Sequence, residues 1–320
     1  MLGFILALVA TLVHAALVFS AAPLLLGVVN AGRARLLGRR GPPLLQPYAN
    51  LFKLLRKAPV IPDTATEYYV IWPYIAFAAA AAAALLVPSF ATGMITAPAA
   101  DFITFVGLLA LGRVAAVLAG LETGFGFGGA GAARDMLFGL FAEAALLVAI
   151  LSFALIAGTS GIDGIITQFQ HGGAGLSVSL GFALVALLAV ALTEAGRLPV
   201  DNPGSHLELG MVHEALLLEY SGRFLLLFEY AAMLRLITLF SLICAIFLPF
   251  GMGQAGAFLS WPGGLVLWVL KLLSLAVALA LFEVATAKMR VFRVPEFLGV
   301  ALLLGILSAI FLFVAARLGA

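Results

Sequence analysis

Apolar runs of about 20 residues recur along the whole chain, and nothing else in it constrains the fold as strongly. A helix crosses the roughly 30 Å hydrocarbon core of a bilayer with about 20 apolar residues. Eight such runs can be placed, at about 2–29, 69–89, 102–120, 137–157, 174–193, 228–250, 261–284 and 296–316. They are continuous, whereas the strands of a membrane barrel would be short and alternating. The composition agrees: of 320 residues, 64% are hydrophobic and 10% are charged, against about 25% charged in an average soluble domain. No soluble domain interrupts the runs. The expected fold is an all-α polytopic membrane protein, a single membrane domain over 1–320 with about eight transmembrane helices. The first run lacks a basic leader and is too long for a signal peptide, so it reads as a retained span. The alanine run at 78–84 makes a thin helix face that a neighbouring helix can approach closely.

The connections fix a topology. Loop 30–68 carries Arg33, Arg35, Arg39, Arg40, Lys53, Arg56 and Lys57, while loop 90–101 has no lysine or arginine. Loop 121–136 has Arg134, loop 158–173 has none, loop 194–227 has Arg197 and Arg223, loop 251–260 has none, and loop 285–295 has Lys288, Arg290 and Arg293. Basic loops stay in the cytoplasm, so the alternation expects the odd loops there and both termini outside. A wrong helix count would scramble the pattern.

Two functional classes are excluded early. The net charge of +2 comes without a basic patch interleaved with aromatics, which argues against nucleic acid. The only cysteine, Cys244, lies in an apolar run; no disulfide framework, cysteine-ligated metal or iron–sulfur cluster fits one thiol.

Polar residues inside such a chain are the functional candidates, because a charge at membrane depth is costly and usually faces a protein interior or a wet cavity. Arg113 and Lys271 sit within runs three and seven. Glu122, Glu143, Glu194, Glu229 and Glu283 fall in or beside the basic-loop halves of their spans, and Arg235 lies about two turns into run six. Such groups could form a polar network for proton transfer, in which burial shifts carboxylates and arginine or lysine balances them. Buried charge pairs that only hold helices together are the alternative.

The most polar stretch is 194–229, with Glu194, Glu208, Glu214, Glu219, Glu229, Asp201, His206, His213, Arg197 and Arg223. Asn202 and Pro203 are suited to cap and start a helix running to about Tyr220. On it Glu208 and Glu219 would be nearly in register, with His206 and His213 roughly opposite, so the two histidines do not suggest a metal site. Loop 30–68 contains Leu44, Tyr48, Leu51 and Leu55 at helical spacing, an amphipathic helix lying in the interface plane. It serves either as a basic lipid-facing loop or as a docking surface. Loop 121–136 is rich in glycine, which suits a tight turn or a packed loop at a subunit face. It is no phosphate loop, since no Gly-Lys-Ser/Thr follows.

Two stretches carry a family resemblance. GRLPVDNPGSHLELGMVHEALLLEYSG at 196–222 and RRGPPLLQPYANLFKLLRK at 39–57 closely resemble the membrane subunit of hydrogenase-4 and its relatives, the group 4 membrane-bound [NiFe] hydrogenases that include formate hydrogenlyase complexes. More distantly the chain looks like subunit 1 (H-type) of respiratory complex I. Complex I members carry PFDxxExExEL where this chain has Pro199, Val200 and Asp201, then Gly204 and His206 at two acid positions. There are about three extra residues between Glu208 and Glu219, and Asn50 stands where complex I commonly has an acid. These departures fit the hydrogenase-4 branch.

The resemblance implies a complex I subunit 1-like fold that anchors a peripheral redox arm and joins it to antiporter-like subunits. It implies an ion-coupling set at Glu143, Glu194, Arg197, Asp201, Glu208, Glu219 and Glu229, to which Arg113, Lys271 and Glu283 are added from their depth. It implies docking residues at Arg39, Gln46 and Lys53, with Arg56 beside them. The chain itself would hold no cofactor. The NiFe centre and iron–sulfur clusters would belong to partners: the hydrogenase large and small subunits and an iron–sulfur subunit. The expected location is a prokaryotic cytoplasmic membrane. Two other readings stay open: the quinone-chamber subunit of a complex I-like dehydrogenase, and a free-standing secondary ion transporter.

Overall fold

The structure is a computed structural model that describes residues 2–170, 178–197, 212–286 and 293–318. It is helical almost throughout. The helices are α1 (Leu2–Leu36), α2 (Gln46–Arg56), α3 (Ile71–Leu86), α4 (Phe102–Glu122), α5 (Gly126–Ala157), α6 (Ile162–Gln170), α7 (Val178–Glu194), α8 (His213–Leu217), α9 (Gly222–Phe247), α10 (Trp261–Ala285) and α11 (Val294–Leu318). Two short strands, β1 (Ala91–Thr92) and β2 (Gly253–Gln254), pair in parallel.

Each of the eight apolar runs forms a helix. Seven are long and apolar enough to cross a membrane, and Val178–Glu194 is a shorter apolar helix that begins where description resumes. The bundle is built around α9, 83% of whose apolar window is buried, against 17% for α1 and 22% for the window of α11. Leu12, Val266, Leu303 and Phe313 of the outer helices are exposed; an apolar outer face is what a lipid-solvated bundle presents. Helices α3 and α1 pack on α9, α4 joins α3 to α5, and α11 covers α5 and α7.

The connections sort to two ends. At one end the loops without lysine or arginine bind one another: Gly253 and Ala255 donate to the carbonyls of Phe90 and Thr92, Phe102 to Ser160, and Ile162 to Ala100. This is called the strand end. Asp101, expected in a solvated loop, instead caps α4 by accepting from the Ile103 amide at 3.3 Å, as a helix-start aspartate does. Asp163 ties α6 to the strand turn by accepting from the Gly93 amide at 2.6 Å, and burial holds its carboxyl above the usual aspartate range. At the basic end the Val60 amide donates to Ser221 Oγ at 2.8 Å, Thr64 to the Thr123 carbonyl at 2.9 Å, and Tyr69 Oη to the Glu219 carbonyl at 2.8 Å.

Three expected boundaries change. Helix α1 runs on to Leu36, carrying Arg33 past the expected end at 29. Most of the glycine-rich stretch 121–136 is helix rather than loop: α5 starts at Gly126 and only a short turn precedes it. The glycines there serve close approach. A Cβ on Gly131 would lie 2.8 Å from Ala215 Cβ and 3.0 Å from the Val212 carbonyl, so α8 can rest directly on the α5 backbone. The helix expected over 203–220 is described only from residue 212, where it covers His213–Leu217 and ends in a turn before Tyr220; its earlier part, with Asp201, His206 and Glu208, lies outside the described residues.

The interfacial helix forms at Gln46–Arg56. Its protein side is Pro47 and Leu54 with partly buried Leu51, while Leu44, Phe52 and Leu55 are exposed. Tyr48 Oη donates to the Ser20 carbonyl of α1.

Candidate functional site

The centre of the site is Arg113 on α4, 5% exposed. It sits where four helices meet. Its guanidinium pairs with Glu194 at the end of α7 and with Glu143 of α5 at 3.2 Å, and its Nη1 donates to the Asp135 carbonyl at 3.3 Å. Asp135 Oδ1 in turn meets His213 Nδ1 of α8 at 3.1 Å. Arg235 of α9 is buried in the same region and feels the charges of Glu194, Arg113 and Asp135. Gly139 makes the approach possible, since a Cβ there would lie 2.8 Å from Arg113 Nη1 and 2.9 Å from Nε.

Two cavities reach this cluster from different sides. One, about 360 Å³, opens toward the basic end between α1, α2, α8 and α9, with Gln46, Asn50, Arg197, His213 and Glu229 in its wall. The other, about 630 Å³, is an apolar cleft between α4 and α5 with Arg113 and Glu143 in its wall. The series His213, Asp135, Arg113, Glu143 therefore leads from one cavity to the other through contacts of 3.1–3.3 Å.

The charges do not balance. Asp135, Glu143 and Glu194 face two guanidiniums, Arg113 and Arg235. An uncompensated charge in a low-dielectric interior costs several kcal/mol, so the arrangement favours one additional bound proton, on a carboxyl or on His213. Where that proton sits can change without any covalent bond to carbon.

The other expected residues fall into separate places. Arg197 pairs with Glu283 of α10 at 3.5 Å, and Arg33 of α1 meets the same carboxylate at 3.4 Å. Burial lowers the Arg197 guanidinium from its ordinary value and Glu283 raises it back. Glu229 lies half-buried near Lys53. Glu219 is used through its carbonyl. Glu122 accepts from the Thr66 amide at 3.1 Å and Trp72 Nε1 at 3.4 Å, anchoring the start of α3. Lys271 belongs to no carboxylate pair among the described residues; its Nζ donates to the Phe250 carbonyl at 2.7 Å and also to the Leu248 carbonyl, closing the strand end of α9. Of the docking residues, Arg39, Lys53 and Arg56 are exposed, and Gln46 donates to Asn50 Oδ1 at 3.0 Å.

Sequence reasoning does not reach Asp135 or His213 as site residues, and it reaches Arg235 only as a possible network member. Asp135 lies in the glycine-rich stretch that reads as a loop, which hides an acid that a helix would carry into the interior. No group of three or more metal-ligating side chains occurs among the described residues.

Fold and site together define a polytopic helical membrane subunit with an internal charge cluster. The chain belongs to the NADH dehydrogenase family, whose model matches residues 8–315, the family of complex I subunit 1. Its relatives include formate hydrogenlyase subunit 4 of Escherichia coli K12, 31% identical over 288 residues that cover 89% of this chain and 92% of that one. Hydrogenase-4 component C of the same strain is 32% identical, covering 87% of each chain. The H-type subunit of NADH-quinone oxidoreductase from Geobacillus thermodenitrificans is 30% identical, covering 81% of this chain and 76% of that one. Among solved structures, a chain of the membrane-bound sulfane sulfur reductase, an archaeal respiratory membrane complex, has the same fold, with TM-score 0.77 at 18% identity over 95% of this chain and 98% of that one.

Proposed function

We propose that this chain is the membrane anchor and ion-coupling subunit of a group 4 [NiFe] hydrogenase complex, formate-linked or with another donor. It joins a peripheral redox arm to antiporter-like membrane subunits in a prokaryotic cytoplasmic membrane. The basic end faces the cytoplasm and both termini lie outside. The relatives named for formate hydrogenlyase and hydrogenase-4 support this reading, as do the two sequence motifs. The NiFe centre and iron–sulfur clusters are assigned to partner subunits, since one buried cysteine does not suit a cluster.

The observation that carries the coupling role is the continuous series of ionisable groups between the two cavities. A proton entering at the basic end meets His213, passes the Asp135–Arg113 pair and reaches Glu143 at the lateral cleft. Arg113 holds the carboxylates apart from one another and compensates whichever is ionised. A partner docked on the basic end touches the exposed face of α2 and is positioned to act on α8, and so on the His213–Asp135 contact.

The test is the assembled complex in sealed vesicles, with ion uptake followed during hydrogen production. Glu143→Gln keeps a hydrogen-bond acceptor beside Arg113 but cannot release a proton. Ion uptake per hydrogen is expected to drop about tenfold or more, with turnover and subunit content retained. Wild-type uptake in this variant at normal assembly would remove the coupling role.

A second reading, a quinone-binding subunit, is favoured by the cavity of about 360 Å³ at the basic end, which lies within the size range of small-ligand sites. Labelling of that cavity by a photoreactive quinone, competed by excess quinone, would select it.

A further inference from the structure

We propose that the strand-end half of this chain holds a proton relay completed by one buried water, running from Lys271 through the water and Ser89 to His14. It rests on the coupling role above and extends it toward the outer face.

Lys271 is 7% exposed. Two of its three ammonium donors go to the carbonyls of Leu248 and Phe250, and its Nζ lies 4.4 Å from the centroid of the Phe250 ring. A neutral donor could cap those carbonyls without burying a charge, and an ionisable group at such depth normally has a further role. A cavity of about 10 Å³ adjoins it, lined in part by Ser89, Cys244, Trp268 and Lys271. That is room for one water, which needs two to four polar partners; the third ammonium proton, the Ser89 hydroxyl and the Cys244 thiol supply them.

Ser89 continues the series. Its Oγ lies 2.8 Å from His14 Nδ1, and a hydroxyl donates and accepts at once. His14 is fully buried, and its Nε2 makes no hydrogen bond, although the Ala84 carbonyl acts on the ring. One turn toward the chain start, Thr11 Oγ1 accepts from the Ile95 amide in the strand-end loop at 3.2 Å. Polar groups thus lead from Lys271 to the strand-end surface.

The relay also meets the inner cluster. Along α9, Arg235, Thr238, Ser241 and Cys244 recur every third residue and are all buried. At 1.5 Å per residue, Arg235 and Cys244 are about 14 Å apart. Ser241 is engaged by Trp268 Nε1 at 3.1 Å, which places this stripe beside the small cavity.

Each step transfers one proton and no electrons. The Lys271 ammonium gives a proton to the water, and the water gives one to Ser89 Oγ. Ser89 gives its own proton to His14 Nδ1, and the imidazole releases a proton from Nε2. Every oxygen ends with the bonds it began with, and Lys271 is reprotonated from the α9 side.

Two measurements test this. A cryo-EM map of the native complex that resolves waters should show density within about 3 Å of both Lys271 Nζ and Ser89 Oγ; an empty cavity overturns the relay. In vesicles, Ser89→Ala and His14→Leu are each expected to lower ion uptake per hydrogen about tenfold or more, with assembly and hydrogen production retained. Glu143→Gln runs beside them. If it uncouples while Ser89→Ala and His14→Leu do not, the relay is wrong and the inner coupling role stands. If none of the three uncouples, both fall. Should Ser89→Ala not assemble, the water density decides.

Discussion

A buried arginine with two carboxylate partners is a demanding arrangement at the level of single residues. Removing one partner of a buried ion pair typically costs 3–5 kcal/mol, because it strands the other charge. Arg113, Glu143 and Glu194 stand out in the sequence for this reason: charge in an apolar run is rare, and a rare costly residue is conspicuous. Their meeting is not conspicuous at all. It depends on Gly139, which leaves space for the Arg113 side chain. Gly139→Ala is expected to destabilise the protein by about 1–3 kcal/mol through overpacking and to lower ion uptake per turnover, because the added methyl displaces the guanidinium from Glu143. Thermal unfolding in detergent and the vesicle assay check the two effects separately. A variant with wild-type stability and coupling would show that Arg113 has slack the packing does not suggest.

At the level of elements, helix existence is legible in the sequence and helix interplay is not. Hydropathy places all eight runs, since a bilayer demands length and apolarity from each helix independently. The start of α5 escapes it because glycine signals a turn in isolation, whereas here it lets α8 press onto the α5 backbone. What holds α8 in place is an aromatic stack: Tyr69 and Tyr220 lie parallel, with ring centroids 4.3 Å apart, and Phe224 and Phe228 close on their edges. Tyr220 Oη also donates to the Ala119 carbonyl at 3.3 Å, and burial pushes its phenol well above the ordinary range. Tyr220→Ala is expected to cost about 3–5 kcal/mol, as large buried aromatics do, and to free His213 from Asp135. The unfolding midpoint reads the first. Loss of ion uptake at retained hydrogen production reads the second. A small shift with normal coupling would mean that α8 is held by something else.

For the whole molecule, the alternation of basic and uncharged loops predicts opposite ends, and the hydrogen bonds among loops sort the same way. In a Cys244→Ser background, single cysteines replacing Arg35, Asp63 or Arg223 should react with an impermeant thiol reagent from one side of the membrane. Those replacing Ile95 or Leu259 should react from the other. Labelling of Asp63 and Leu259 positions from the same side would contradict the topology. The sequence by itself determined the membrane-spanning class, the number of apolar helices and the interfacial helix α2, because the bilayer acts on each segment alone through its length and hydropathy. Its two motifs also pointed to the family. Only the tertiary structure decided that Asp135 and His213 join Arg113, that Arg197 pairs with Glu283 instead, and that Lys271 stands apart at the opposite end. Those outcomes depend on how helices far apart in sequence rotate and approach, which small residues such as Gly131 and Gly139 permit but no local pattern encodes.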